Sequence, residues 1–159
     1  MAWWNRDNGV PSELAGLLLP NERILAWATH HSGVIAATTQ ALVSTDHHDS
    51  KRIPWTHVLS AKWEGSMLTI NLAPDLSSLG WLIDEPGQLP VAVRDRVTAH
   101  IVVDRTRRFN DQEVRFIAHR GETDIEWLTI AQDADWAHSP QGQASIQAEL
   151  VSLRSTLGV

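Results

Sequence analysis

The chain has 159 residues, and its 43% hydrophobic and 20% charged content is ordinary for a folded globular protein. This length suits one hydrophobic core, so we predict a single domain over residues 1–159. The formal net charge of -6 argues against a nucleic-acid partner, because affinity for phosphate backbones depends largely on Lys and Arg. Since cysteine is absent, disulfides, thiol catalysis and Cys-based zinc sites are excluded.

Residues 1–20 predict an N-terminal lid that carries a short helix. Ser12 can cap this helix, Leu14, Leu17 and Leu18 recur at helical spacing, and Pro20 ends it. The apolar run here is too short for a signal peptide, and no stretch of the chain is long enough to span a bilayer. We therefore predict a cytoplasmic location and no transmembrane segment.

Two groups of strands are predicted after this helix. Short apolar runs between Ile24 and Thr45, separated by small or polar residues, are typical of a three-stranded antiparallel meander. The next segment, Arg52-Ile53-Pro54-Trp55, is predicted to be extended because Pro54 disfavours helix for the residue before it, and Pro54 marks an edge or the entry to a sheet. The runs 57–64 and 66–72 flank Gly65 and predict a hairpin.

The second half of the chain predicts an insertion, a second meander and a final helix. Residues 74–99 predict a packed loop followed by a one-sided helix from Pro90 to Ala99. Three further strand-like runs follow, at 101–109, 113–120 and 124–131. The clearest helix is 140–157, because its apolar residues form one stripe, namely Ile146, Leu150, Leu153 and Leu157.

Two segments carry a resemblance to a known family. Gly33-Val-Ile-Ala-Ala-Thr-Thr-Gln-Ala-Leu-Val-Ser-Thr45 and Arg52-Ile-Pro-Trp-Thr-His-Val58 are similar to bacterial pleckstrin-homology-like domains. The longer stretch from Leu19 to Ile70 resembles actinobacterial proteins of that kind. The resemblance implies a mainly β (α+β) fold, an antiparallel barrel of about seven strands. Residues 140–157 would be its C-terminal capping helix, and the helix within 74–99 would be inserted between the two meanders.

Histidine and aspartate in one loop suggest a metal site. The loop Asp46-His47-His48-Asp49 could join His30 or His57 to give the nitrogen and oxygen ligands that zinc accepts. No fixed spacing such as His-Glu-x-x-His supports the site, so solvated turn histidines are the favoured interpretation. We predict no cofactor.

A strand rich in arginine suggests an anion-binding patch. Its candidate residues are Arg105, Arg107 and Arg115, which could bind an acidic partner or a lipid head group. The favoured interpretation is instead that these arginines form ion pairs across strands on a solvated face, with Asp104, Glu113 and Glu122.

The eight tryptophans divide into two predicted groups. Those within strands are expected in the core, namely Trp27, Trp63 and Trp127. Those at the ends of strands or helices could instead form an exposed partner-binding surface, namely Trp55, Trp81 and Trp136. Packing in the core or at its rim is the favoured interpretation.

These patterns together favour a binding or scaffold module without catalysis. The predicted partner is another protein or a second copy of the chain, with no peripheral membrane contact. The alternatives are a metal-dependent hydrolase that uses the Asp46–Asp49 loop, and an anion or lipid head-group binder that uses the arginine-rich strand.

Overall fold

The computed structural model describes residues 9–158, which form ten strands in three antiparallel sheets and four helices. The predicted mainly β architecture is confirmed, but the three sheets do not close into one barrel. The chain divides into two compact units: unit 1 ends at His100 and unit 2 begins at Ile101. Of the helices in residues 9–158, none has both the length and the apolar character that crossing a membrane requires.

Unit 1 contains two sheets and two helices. The four-stranded sheet, in the order β1-β2-β3-β4, consists of β1 (Ile24–His30), β2 (Gly33–Thr38), β3 (Ala41–Thr45) and β4 (Ser50–Pro54). The three-stranded sheet, in the order β5-β6-β7, consists of β5 (Val58–Glu64), β6 (Met67–Leu72) and β7 (Ser78–Leu82). A 3-10 turn, Trp55–His57, joins the two sheets, and the helices are α1 (Ser12–Ala15) and α2 (Leu89–His100).

Strand β7 corrects the prediction of a packed loop after residue 74. Its residues pair with β6, where Ile70 faces Leu79 and Leu68 faces Trp81. Trp81 is buried whereas its neighbours Gly80 and Leu82 are exposed, which is the alternation of a half-buried strand. The flanking Pro, Asp and Ser residues obscured this short alternation in the sequence.

The N-terminal segment is held by a buried polar network. The Glu22 side chain is fully buried and accepts hydrogen bonds from Arg52 on β4 (2.9 Å), Thr38 on β2 and the Leu19 amide (2.8 Å). Burial raises the pKa of Glu22, but the hydrogen bonds, that from Arg52 above all, outweigh it and leave the pKa below its usual value. Helix α1 ends at Ala15, earlier than predicted, and the part of the predicted lid before residue 9 lies outside the described residues.

Helix α2 belongs to unit 1, and it covers strands of both sheets. It packs against β1, β2 and β5, and it buries Leu89, Val93 and Val97. The sequence placed this helix between two meanders as an insertion. In the structure, seven strands precede it within the same unit.

Unit 2 is a three-stranded meander covered by a helix. Its sheet has the order β10-β9-β8, with β8 (Ile101–Phe109), β9 (Gln112–Arg120) and β10 (Ile125–Ala131), and its helices are α3 (Ala134–His138) and α4 (Pro140–Leu157). The predicted helix stripe is confirmed at three positions, because Ile146, Leu150 and Leu153 are buried against Val114 and Phe116 of β9. Its fourth member, Leu157, is 39% exposed.

A tight corner sets the position of α4. Asp133 caps the short helix α3 by accepting hydrogen bonds from two amides, and Ser139 accepts one from Gly142 at 3.0 Å. A Cβ atom at Gly142 would overlap the backbone carbonyl oxygen of Trp136, so only glycine fits where the two helices meet. Helix α3 was not predicted, because five residues carry too little periodicity.

Candidate functional site

The proposed metal ligand His30 already uses both ring nitrogens. Its Nδ1 accepts a hydrogen bond from the Ser32 amide at 3.2 Å, so the proton resides on Nε2, which donates to the Thr45 carbonyl at 2.8 Å. Metal binding would cost one of these bonds. His30 also lines a cleft of about 260 Å³ with Asp46 and Trp81, so the fold brings three predicted site residues to one place.

The Asp46–Asp49 loop is a closed turn. The Asp46 carboxylate accepts hydrogen bonds from the amides of His48 and Asp49, each at 3.1 Å, and the bond from His48 above all lowers its pKa. The rings of His47 and His48 stand edge to face with centroids 6.4 Å apart, and His57 lies in the 3-10 turn. Across residues 9–158, no three His, Asp or Glu side chains are grouped as metal ligands.

Two of the three candidate anion-binding arginines are engaged in ion pairs. Arg115 forms two hydrogen bonds to Asp104, at 2.8 and 2.6 Å, which lower the pKa of Asp104 and raise that of Arg115. Arg107 contacts Glu149 on α4 at 2.8 Å, a pair that the sequence did not suggest. Arg105 is exposed. The cross-strand pairing that the sequence favoured is therefore present for Arg115 with Asp104, although Glu122 takes no part.

The six tryptophans of the two predicted groups are all buried or half-buried. Trp55 is 1% exposed, with its indole N–H donating to the Thr38 carbonyl at 2.8 Å, and Trp81 is 8% exposed. Trp136 is half-buried and stacks on Phe109, with ring centroids 5.8 Å apart. This burial agrees with the favoured interpretation, packing in the core or at its rim, and the three rings do not form an exposed aromatic surface. The rings predicted to be in the core are only half-buried, namely Trp27, Trp63 and Trp127.

Two clefts follow one another along strand β10 in unit 2. The first, of about 610 Å³, is lined by Ile125 and Trp127 at the start of the strand, together with Arg154 of α4. The second, of about 460 Å³, is lined by Thr129 and Ala131 farther along, together with residues of α3 and α4. We call this surface between β10 and the helices the β10–α4 groove.

The backbone of β10 presents unpaired polar groups at the groove. The Gly121 N–H donates to the Asp124 carbonyl (2.8 Å), and the Gln132 N–H donates to the Glu113 carbonyl (3.0 Å). In an antiparallel pair such bonds recur at every second residue, so the even-numbered residues of β10 direct their N–H and C=O groups toward β9. The alternate residues point their N–H and C=O groups away from β9, and they are Ile125, Trp127, Thr129 and Ala131. Their side chains also line the two clefts, and within residues 9–158 no strand lies on that side.

The other edge of the same sheet has a different character. Strand β8 carries four charged residues, Asp104, Arg105, Arg107 and Arg108, whereas β10 carries only Glu126 and contains no proline. Charged residues on an edge strand discourage pairing with another chain. Strand β10 lacks this protection.

Two arginines lie at the start of the groove without an ion pair in the described part of the chain. Arg120 ends β9, and Arg154 lies in the last turn of α4 with its guanidinium carbon 5.8 Å from the centre of the Trp127 ring. Asp124 also lines this cleft. The cleft therefore has two guanidinium groups against one carboxylate.

No known protein family, curated protein or solved structure matches the chain.

The sequence contained only part of the signal for this groove. The run Ile125–Ala131 has one charge in seven residues and no proline, which is typical of a strand that can accept a partner. Its position at an edge depends on the order of strands, and the approach of Arg154 to Trp127 depends on the helix packing. Neither can be seen in local sequence patterns.

Proposed function

We propose that this chain is a non-catalytic protein-binding module, and that an extended peptide segment adds to β10 as a fourth strand of the unit 2 sheet. The observation that carries this proposal is the open backbone of β10, where four residues direct N–H and C=O groups into the β10–α4 groove. Strand addition of this kind supplies affinity through main-chain hydrogen bonds, and pockets for alternate side chains supply specificity.

The two clefts suit the side chains of such a peptide. Alternate residues of a strand point to the same face, so every second side chain of the added strand would turn toward α3 and α4. At one end of the groove it would contact Trp127, and at the other Ile146 and Ala131. Each hydrogen bond contributes about 1 kcal/mol net, so several are needed to offset the entropy lost on association.

The test is selection of a displayed library of random heptapeptides against the full chain, followed by affinity measurements on Thr129→Pro. Proline at Thr129 removes an outward N–H group and leaves the hydrogen bonds to β9 in place. We expect the selected peptides to lose at least about tenfold in affinity, which corresponds to roughly 1.4 kcal/mol.

The matched control is Thr106→Pro. Thr106 is also exposed, lies at the middle of β8 and points its N–H group away from β9 at the opposite edge of the sheet. We expect this variant to bind the selected peptides as the wild type does. Equal loss in both variants, unchanged binding by Thr129→Pro, or failure to select any peptide would contradict the proposal.

A second measurement leaves the protein unaltered. Two versions of the selected peptide are made. One is N-methylated at its odd-numbered residues and the other at its even-numbered residues. Only one version should lose binding, because an added strand pairs with β10 through every second residue. Equal binding by both versions would show that the peptide does not bind as a strand.

We further propose that unit 1 is a pleckstrin-homology-like module. In support of this, seven strands in a four-stranded and a three-stranded sheet are followed by α2, which packs against strands of both. The closing helix in this proposal is α2 rather than α4. A crystal structure in which α2 leaves the two sheets and packs elsewhere would contradict it.

A further inference from the structure

We infer that the peptide accepted by the β10–α4 groove carries a carboxylate that binds between Arg120 and Arg154 at the start of β10. This inference rests on the proposed strand addition. It names the chemistry that the groove selects, which strand addition alone does not.

The arginines of unit 2 differ in whether they form ion pairs. Arg107, Arg108 and Arg115 each lie within 2.6–3.5 Å of a carboxylate on another element or a neighbouring strand. Arg120 and Arg154 form no ion pair in residues 9–158, yet both line the same cleft of about 610 Å³. Arg105 of β8 also forms no ion pair in residues 9–158, but it lines neither cleft along β10. Arg120 and Arg154 are therefore the two unpaired arginines of unit 2 that share a cleft.

Trp127 contacts one of the two guanidinium groups. The guanidinium carbon of Arg154 lies 5.8 Å from the centre of the indole ring, within the range of a cation–π contact. Such a contact does not use the N–H donors of the guanidinium, which can still make a bidentate contact with a carboxylate. The ring itself is half-buried against the core of unit 2, which limits its movement.

The acidic neighbours do not neutralise both arginines. Asp124 lines the cleft, where its side chain accepts a hydrogen bond from Thr123 at 3.4 Å. Glu126 lies 3.6 Å from His119, among the residues whose side chains point to the opposite face of β10. One cation therefore remains in excess in the cleft.

Strand direction places the carboxylate near the C-terminal end of the peptide. Antiparallel pairing is slightly more stable per residue than parallel pairing, and it brings the end of the added strand to the start of β10. The start of β10 is Ile125, which lines the cleft with the two arginines. The carboxylate can belong to a terminal α-carboxyl group or to an acidic side chain close to it.

The experiment uses four versions of one probe, an octapeptide of alternating valine and threonine that ends in Glu or Gln. Each is made with a free or an amidated C-terminus, and binding to the full chain is followed by NMR titration. Charged hydrogen bonds are stronger than neutral ones, so we expect the versions with a carboxylate to bind at least about tenfold more tightly than the neutral one. Comparing the Gln acid with the Glu amide separates the two sources of carboxylate.

The protein variants are Arg120→Gln and Arg154→Gln, with Arg105→Gln as the control. Arg105 is an exposed arginine on the opposite edge strand, so its loss changes net charge equally. The carboxylate preference should disappear in the first two variants and persist in the control. Amide shifts confined to β10, α4 and the turn between β9 and β10 would locate the peptide.

The possible outcomes separate the two proposals. If all four peptides bind β10 with equal affinity, carboxylate recognition is wrong and strand addition stands. The same holds if the preference persists in both arginine variants. If no version binds, strand addition itself fails and the carboxylate inference fails with it.

Discussion

The two edges of the unit 2 sheet are built from the same meander but present opposite surfaces. Strand β8 has four charged residues in nine, and β10 has one in seven. Both hydrogen bond to β9, and in residues 9–158 neither has a second strand beside it. Charged side chains on an edge strand discourage pairing with another chain, so β10 is the edge that another strand can approach more easily.

The arginines of unit 2 also differ in whether they form ion pairs. Arg115 binds Asp104 and Arg107 binds Glu149, whereas Arg105 of β8 is exposed and forms no ion pair within residues 9–158. Those at the entrance of the β10–α4 groove, Arg120 and Arg154, are not paired within the described residues. Two unpaired guanidinium groups therefore share a cleft at the start of β10, which the sequence did not suggest.

The largest expected effect is on hydrogen exchange at the two edges. In the free chain, the outward amides of both β8 and β10 should exchange rapidly. Saturation with a selected peptide should slow the amides of Trp127 and Thr129 by about 100-fold, the factor for an opening free energy of roughly 3 kcal/mol. The amides of Thr106 and Arg108 should not change. Protection at both edges would show that the peptide does not distinguish β10 from β8.

A lysine introduced on each edge should have an intermediate effect. Thr129→Lys gives the middle of β10 the charged character of β8, and it places a long side chain beside the second cleft. We expect a loss of about tenfold in affinity for a selected peptide, measured by calorimetry. Thr106→Lys is the control, since β8 is already charged. If both variants bind as the wild type does, charge does not distinguish the edges.

The smallest expected effect is that of Asp104→Asn on stability. Because hydrogen bonds from Arg115 lower the pKa of Asp104, this pair stabilises the fold at neutral pH, and the contribution is lost as pH falls through the folded-state pKa. The two side chains are more than 40% exposed, so we expect a loss of about 0.5 kcal/mol at pH 7, measured by urea unfolding. The variant and the wild type should converge in acid, and a loss that grows in acid would contradict this account.

Strong periodicity allowed parts of the fold to be predicted from the sequence. The stripe of α4 was found because Ile146, Leu150 and Leu153 recur over a long segment, and the strands of unit 2 were found within a few residues of their ends. Strand β7 was missed because its alternation is short and surrounded by turn residues. The place of α2 along the chain was predicted, but the strands that it covers were not, since periodicity identifies a helix without showing what it packs against.

The candidate site was harder to predict, for a physical reason. Residue types suggested a metal site at His30 and the Asp46–Asp49 loop, and a partner surface of exposed tryptophans. In the fold, His30 and Asp46 make local hydrogen bonds, and Trp55 and Trp81 are buried. The groove depends on main-chain groups that β10 leaves unpaired, and every residue type has the same main chain. Only the tertiary fold shows where such groups remain open.

The alternation along β10 also has a consequence for the evolution of its partners. A segment that pairs with Ile125, Trp127, Thr129 and Ala131 turns only every second side chain toward the clefts. The intervening positions face away and are free to vary. Partners would therefore share a degenerate short motif of low information content, which unrelated proteins can gain or lose by single substitutions.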